Sequence, residues 1–117
     1  MNSGNLLILT TPSFDKKSEK LLSNDSLNEL LDYLEINPEA GQLIIGTGGI
    51  RKLRWTSGKN NKGKSGGVRV LYHYSKNILL LLITLYNKSE KENISESEKK
   101  TLKLMVDKLL KELKEEI

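Results

Sequence analysis

The sequence has 117 residues, which is enough for one hydrophobic core and too short for two. Apolar residues make up 37% of it, as in a folded soluble protein, and the absence of cysteine excludes disulfides, a thiolate nucleophile and a cysteine-based metal site. The apolar run Ile78–Leu85 is far shorter than the roughly 20 residues that a membrane-spanning helix needs, and Met1–Asn5 lacks a basic leader region. We therefore expect a cytoplasmic protein.

The basic charge is segregated within the chain. The stretch from Ala40 to Ser89 holds nine of the 19 Lys and Arg residues and none of the 15 Asp and Glu residues. So many like charges on a few short strands and a loop would repel one another unless a polyanion is their intended neighbour. The sequence therefore predicts a surface that binds a polyanion.

The first part of the chain predicts a strand and two helices. Leu6–Thr10 is a short apolar run that reads as a strand. Ser13 can cap a helix that begins at Phe14 and runs to Leu22. After a polar break, leucines recur with helical spacing and stop before Asn37-Pro38; they are Leu27, Leu30, Leu31 and Leu34. With Leu21 and Leu22, they would face a sheet.

The run Ile50–Thr56 has the alternation of a half-buried strand with a basic outer face. Leu53 and Trp55 fall on one face, and Lys52 and Arg54 fall on the other. A bulge is possible at Arg51, because Arg51 breaks strict register with Ile50. Before this strand, the short apolar piece 43–45 could pair as an edge strand or simply pack.

Two further strands follow a loop. Ser57–Gly66 contains only Gly, Ser, Asn and Lys, which predicts a mobile loop. Gly67–Ser75 alternates between apolar and polar residues, and Lys76-Asn77 predicts a two-residue hairpin turn. Ile78–Tyr86 is apolar on both faces, as expected of a central strand.

The chain ends in a helix. Ser95 and Glu98 have the spacing of a capping box, and apolar residues then recur at helical spacing from Leu102 to Leu113. The element order predicts an α+β fold, with a small twisted antiparallel sheet, an N-terminal helical hairpin and a C-terminal helix.

Three segments carry a family resemblance: Gly48–Arg54 (GGIRKLR), Gly67–Tyr72 (GVRVLY) and Leu85–Glu90 (LYNKSE). Their order and spacing resemble the RelE/ParE superfamily of bacterial type II toxins. They are most similar to its HigB-type branch, which reads GTGGLRKxR, a Lys/Gly loop, GGxRxxYY and then LxxYxKxE. The resemblance implies one RelE-like toxin domain over residues 1–117.

The resemblance also implies an activity. Such toxins are mRNA endoribonucleases (mRNA interferases) that usually cut in the ribosomal A site, inhibit translation and arrest growth, and they use no cofactor or metal. A cognate antitoxin, itself a small DNA-binding protein, silences them and connects them to operator DNA. The implied partners are therefore antitoxin, ribosome and mRNA. The implied catalytic residues are Lys52, Arg54, Arg69 and Lys88.

Several other residues have an expected role and, beside it, an alternative one. RNA-backbone contacts are expected from Arg51, Lys59, Lys62 and Lys64, although loop lysines also serve solubility. The family's late base-stacking tyrosine is missing, so either Tyr86 supplies stacking or the role is absent. Trp55 is interpreted as a core residue, and the lone His73 as a packed residue rather than a catalyst.

Two other functions stay open at this point. A toxin of the ParE kind would act without nuclease activity, by binding a DNA-handling enzyme. A plain RNA-binding module would also use the basic residues. Under each toxin hypothesis, the antitoxin is expected to cover the basic face with an acidic or amphipathic segment, or to lay a helix along the Leu102–Leu113 surface.

Overall fold

The computed structural model describes residues 6–59, 67–91 and 93–116. The elements, in chain order, are β1 (Leu7–Thr10), α1 (Pro12–Leu21), α2 (Asn24–Ile36), β2 (Gln42–Leu43), β3 (Ile50–Trp55), β4 (Val68–Ser75), β5 (Leu79–Asn87) and α3 (Glu96–Glu116). The strands form one sheet in the order β1-β5-β4-β3-β2. The α+β fold is confirmed. No helix in the described ranges is long and apolar enough to cross a membrane.

The sheet is mixed, whereas the sequence predicted an antiparallel one. β1 pairs parallel to β5, with Leu7 opposite Leu79 and Thr10 opposite Leu82, and the other neighbours pair antiparallel. Local patterns identify strands that are joined by a short turn, but the partner of β1 lies far along the chain. Its direction is therefore decided by tertiary packing.

Helices cover both faces of the sheet. The core under α1 and α2 includes Phe14, Leu30, Leu34, Val70, Tyr72 and Leu82. The core under α3 includes Ile50, Leu71, Leu81, Ile83 and Val106. β5 contributes buried residues to both cores, which confirms the predicted central strand.

Two helix starts follow the sequence signals. The Ser23 hydroxyl accepts a hydrogen bond from the backbone N–H of Ser26 at the start of α2. At the start of α3, Ser95 and Glu98 each accept a bond from the backbone N–H of the other, at 3.1 and 2.9 Å, so the predicted capping box is confirmed. Each bond satisfies an N–H group that the helix itself leaves unpaired.

The start of α1 differs from the prediction. Thr11, not Ser13, caps this helix, and its hydroxyl accepts from the backbone N–H of Phe14 at 3.0 Å. Pro12 occupies the first helical position, where its fixed φ fits and its missing N–H costs nothing. The Thr11 hydroxyl also donates to the Ile83 carbonyl at 2.6 Å, so it joins α1 to the central strand.

We expect Thr11→Ala to lower the free energy of unfolding by about 2 kcal/mol, because it removes the cap and one buried hydrogen bond. Urea unfolding monitored by circular dichroism measures this change. Thr101→Ala is the control, since Thr101 is an exposed residue within α3. An equal loss in both variants would contradict the assigned role of Thr11.

The predicted bulge in β3 is wrong. β3 and β4 pair without interruption from Ile50 opposite His73 to Trp55 opposite Val68. The register shift lies instead between Leu71 and Tyr72, in the pairing of β4 with β5. The shift lets β5 change which of its residues face each helix layer, which a one-strand pattern does not reveal.

The β4–β5 turn is also longer than predicted. Ser75 pairs with Leu79, so the turn contains three residues rather than two. The Ile78 N–H donates to the Ser75 carbonyl, and Asn77 adopts a φ of 61°. Asparagine tolerates this left-handed backbone better than most residues do, which explains why it sits at this position.

At the other edge, Leu43 pairs with Arg51, so the edge-strand alternative holds for β2.

Candidate functional site

Three basic side chains lie together on the α3 side of the sheet. Directly opposed residues in antiparallel strands project from the same face. Lys52 is opposite Leu71, and Arg54 is opposite Arg69, which in turn is opposite Tyr86. Leu71 and Tyr86 belong to the core under α3. We call the set Lys52, Arg54 and Arg69 the basic face.

The three residues of the basic face differ in exposure. Arg54 is exposed, and its guanidinium is free to meet a ligand from solvent. Lys52 is half-buried, and its Nζ lies 3.4 Å from Oδ1 of Asn93. Arg69 is only 7% exposed, with Nη1 3.4 Å from the Val68 carbonyl. Arg54 is therefore the accessible member of this pair, and Arg69, opposite it on the adjacent strand, is buried.

Tyr86 is packed at the edge of the basic face. It is 2% exposed, and within the described part of the chain its hydroxyl has no hydrogen-bond partner. Burial raises the pKa of Tyr86, although the positive charges of Lys91 and Arg69 act in the opposite direction. The hydroxyl is therefore protonated at neutral pH and can donate a hydrogen bond. As placed here, the ring belongs to the core and is not free to stack on a base.

Lys91 is a basic residue of this region that the sequence analysis missed. Its Nζ lies 5.1 Å from the centroid of the Tyr86 ring and 2.5 Å from Oε2 of Glu98. The hydrogen bond from Lys91, followed by that from the Ser95 backbone, lowers the pKa of Glu98, so this carboxylate is ionised at neutral pH. The polar stretch after β5 has no periodicity from which the position of Lys91 could be predicted. The one sequence signal was the capping-box residue Glu98, whose carboxylate can pair with a lysine.

The resemblance pointed instead to Lys88. This residue is exposed in the turn that follows β5, and its backbone N–H donates to the Gly67 carbonyl at 3.1 Å. That bond places Lys88 beside Gly67, just before β4, the strand that carries Arg69.

Two of the other expected RNA contacts, Arg51 and Lys59, do not share the basic face. Arg51 lies on the opposite face, where Nη1 donates to the carbonyls of Glu39 and Gly41 at 3.1 and 2.7 Å. The Nζ of Lys59 donates to the Glu19 carbonyl at the end of α1. The remaining two, Lys62 and Lys64, lie outside the described residues.

Trp55 and His73 both pack against the sheet. The Trp55 indole donates to the Ser26 carbonyl at 3.1 Å, and its ring centroid is 5.3 Å from that of Tyr33, which confirms the core interpretation. His73 lies on the α3 side of β4. Burial lowers its pKa against the opposing effect of Asp107, so the imidazole is uncharged at neutral pH and adds nothing to the basic face.

Comparison with known proteins agrees with this architecture. Residues 8–117 match the family described as the RelE toxin of the RelE / RelB toxin-antitoxin system. Among solved structures, an arginine-to-alanine double mutant of the E. coli toxin RelE in the free state superimposes with a TM-score of 0.52. That match covers 75% of this chain and 88% of the other at 17% sequence identity, so it shows a shared fold. Because the family match spans nearly all of the sequence, the chain belongs to the RelE toxin family.

Proposed function

We propose that this toxin is an endoribonuclease that cleaves mRNA on the ribosome, in the cytoplasm, and so inhibits translation. The observation that carries the proposal is the basic face, in which Lys52, Arg54 and Arg69 meet on adjacent strands. The sequence has no acidic residue between positions 40 and 89. The HigB-type motifs and the RelE family support the same activity.

The basic face suits the chemistry of RNA cleavage by the 2′-hydroxyl. This reaction gathers negative charge on a pentacoordinate phosphate, which fixed cations stabilise. Arg54 and Arg69 are directly opposite each other, and the Cα atoms of such pairs are about 5 Å apart. Two guanidinium groups at that spacing can hold one phosphate, because each presents parallel N–H donors to its oxygens.

The reaction also requires two proton transfers, and this proposal assigns the one to the leaving oxygen to a lysine. The 2′-hydroxyl must lose a proton, and the 5′-oxygen must gain one as it leaves. Lys52 lies on the same face as Arg54, two residues away along β3, and can deliver a proton to the leaving oxygen. Lys88, in the turn after β5, is the second basic residue that the resemblance assigns to the reaction.

One observation favours a second function. Arg69 and Tyr86 are 7% and 2% exposed, so the inner part of the basic face is covered in the free protein. A toxin that only binds a DNA-handling enzyme would not need to uncover these residues. A ribonuclease must uncover at least Arg69 when RNA binds.

The distinguishing experiment incubates the purified protein with a defined mRNA, with and without translating ribosomes. We expect cleavage of the message when ribosomes are present and none when they are absent. Cleavage of the naked message at the same rate would remove the ribosome requirement but keep the ribonuclease. An intact message under both conditions would overturn the ribonuclease proposal and favour the binding toxin.

The antitoxin is part of the same proposal. We infer that its neutralising segment carries carboxylates that pair with Arg54, because Arg54 is the exposed member of the basic face. Charge complementarity of this kind speeds association and selects the partner. A neighbouring gene that encodes a small DNA-binding protein with an acidic segment would support this inference.

A further inference from the structure

A partly open cavity of about 290 Å³ lies beside the basic face, between α1, the sheet and the start of α3. Apolar side chains form part of its wall, and polar ones form the rest. The wall includes Lys17, Leu71, Thr84, Ile94, Thr101 and Leu102. Its volume is at the low end of the roughly 300 to 1,000 Å³ that is usual for ligand pockets. The cavity therefore suits a single nucleobase better than a large cofactor.

Tyr86 also lines this cavity, and its hydroxyl is a group to which a ligand could hydrogen-bond. Its side chain is 2% exposed, and no hydrogen bond to its hydroxyl is found among residues 6–59, 67–91 and 93–116. Buried polar groups are nearly always paired, so an unpaired hydroxyl calls for an explanation. A ligand with hydrogen-bonding edges would supply the missing partner.

Lys91 covers Tyr86 and is held there by Glu98. The ammonium lies 5.1 Å from the centre of the Tyr86 ring and 2.5 Å from the Glu98 carboxylate. The side chains of Lys91 and Glu98 are 36% and 43% exposed, so this ion pair is hydrated and weak. A phosphate bound near Arg69, which is opposite Tyr86, can compete with Glu98 for Lys91.

We propose that the cavity binds one nucleotide of the substrate: the phosphate draws Lys91 away from Glu98, and the base enters beside Tyr86 and hydrogen-bonds to its hydroxyl. This inference rests on the proposed function, because it places the cavity next to the phosphate held by the basic face. It also assigns Tyr86 a role other than stacking. Base edges offer donors and acceptors, and a hydroxyl can pair with either, so Tyr86 would contribute to the affinity for the base.

Two variants separate the steps of this proposal. Tyr86→Phe removes a hydroxyl that has no partner among the residues that the structure describes, so the folded state should be as stable as before or more so. Glu98→Gln removes the charge that competes for Lys91. Because glutamine can also accept the Ser95 N–H in a capping box, α3 keeps its N-terminal bond.

The measurement is the affinity of the isolated protein for inorganic phosphate and for each nucleoside monophosphate, followed by NMR titration. We expect wild type to bind at least one nucleotide more tightly than phosphate. In Tyr86→Phe, that nucleotide should bind about fivefold more weakly, as for the loss of one hydrogen bond, while phosphate binding is unchanged. In Glu98→Gln, phosphate and nucleotide should both bind a few-fold more tightly.

Tyr72→Phe is the matched control, because it removes a tyrosine hydroxyl from the opposite face of the same sheet. That hydroxyl accepts from the Gly41 N–H and donates to the Pro38 carbonyl, both at 2.8 Å. Its loss should lower stability and leave nucleotide affinity unchanged. Equal nucleotide affinity in wild type and Tyr86→Phe would overturn the role given to Tyr86.

The phosphate titration separates this inference from the function on which it rests. If phosphate binds, weakens in Arg54→Ala, and no nucleotide binds better than phosphate, the cavity assignment fails while the basic face stands. If neither phosphate nor nucleotide binds, both fail. A short single-stranded RNA that binds more tightly than any monophosphate supports a nucleotide within RNA. If a monophosphate binds as tightly as the RNA, the proposal that the cavity holds a nucleotide of an RNA chain is overturned, and the cavity is assigned to a free nucleotide.

Discussion

The variant Arg54→Ala is expected to cleave mRNA about 100-fold more slowly than wild type, the usual loss for one group that stabilises transition-state charge. Arg54 is exposed and lies opposite Arg69, so its removal takes a cation from the proposed phosphate site without disturbing the core. The free energy of unfolding should change by less than about 0.5 kcal/mol. The initial rate of loss of full-length message in the presence of ribosomes measures the effect.

Lys76→Ala is the matched control for Arg54→Ala. Lys76 is also exposed, and it lies in the turn at the far end of β4 from Arg69. Its loss removes the same net charge but should change the cleavage rate less than twofold, since charges this far apart are screened at physiological salt. If both variants cleave at the same rate, the effect is one of overall charge and the basic face is not the phosphate site.

Leu82→Ala is expected to lower the free energy of unfolding by about 2 to 5 kcal/mol, as for other leucines truncated within a packed core. Leu82 is 0% exposed, and in the central strand it pairs with Thr10 on one side and Tyr72 on the other. Because small domains are stable by only about 5 to 15 kcal/mol, this loss should also reduce the amount of folded toxin in cells. Urea denaturation gives the change directly.

Leu104→Ala is the comparison for Leu82→Ala. Leu104 is 70% exposed on α3, so truncation leaves no cavity and should change stability by less than about 0.5 kcal/mol. A loss in Leu104→Ala as large as that in Leu82→Ala would mean that the outer surface of α3 is packed against something. A negligible loss in Leu82→Ala would contradict the two-layer core described for β5.

The parts of the fold that follow from local patterns were predicted well. The leucine spacing of α2, the alternation of β3 and β4, and the capping box of α3 each depend on residues within one turn or strand. The parallel pairing of β1 and the capping of α1 by Thr11 were not predicted. The pairing of β1 depends on β5, which is about 70 residues away in sequence, so no local signal encodes it. The Thr11 cap does have a local signal, a threonine before a proline at the first helical position, and the sequence analysis chose Ser13 instead.

The same division applies to the site. The shared face of Lys52, Arg54 and Arg69 follows from strand alternation once β3 and β4 are paired. Lys91 was missed because it lies in an aperiodic stretch and reaches the site only through its contacts with Tyr86 and Glu98. The orientation of a surface cation depends on its contacts with neighbouring side chains, and these contacts arise from tertiary structure.

One residue that the sequence analysis assigned to RNA binding lies outside the basic face. Arg51 was expected to bind RNA because it belongs to a basic run. In the fold, it holds the carbonyls of Glu39 and Gly41 on the opposite side of the sheet. A run of basic residues on a strand therefore divides between two faces, and only alternate members can serve one site.

The most direct test of ribonuclease activity is 5′-end mapping of cellular mRNA after induction of the wild-type toxin and, in parallel, of Arg54→Ala. We predict new 5′ ends within translated codons in the wild-type strain, with few or none in the Arg54→Ala strain. Growth arrest by the wild-type toxin without any new 5′ ends would contradict the account.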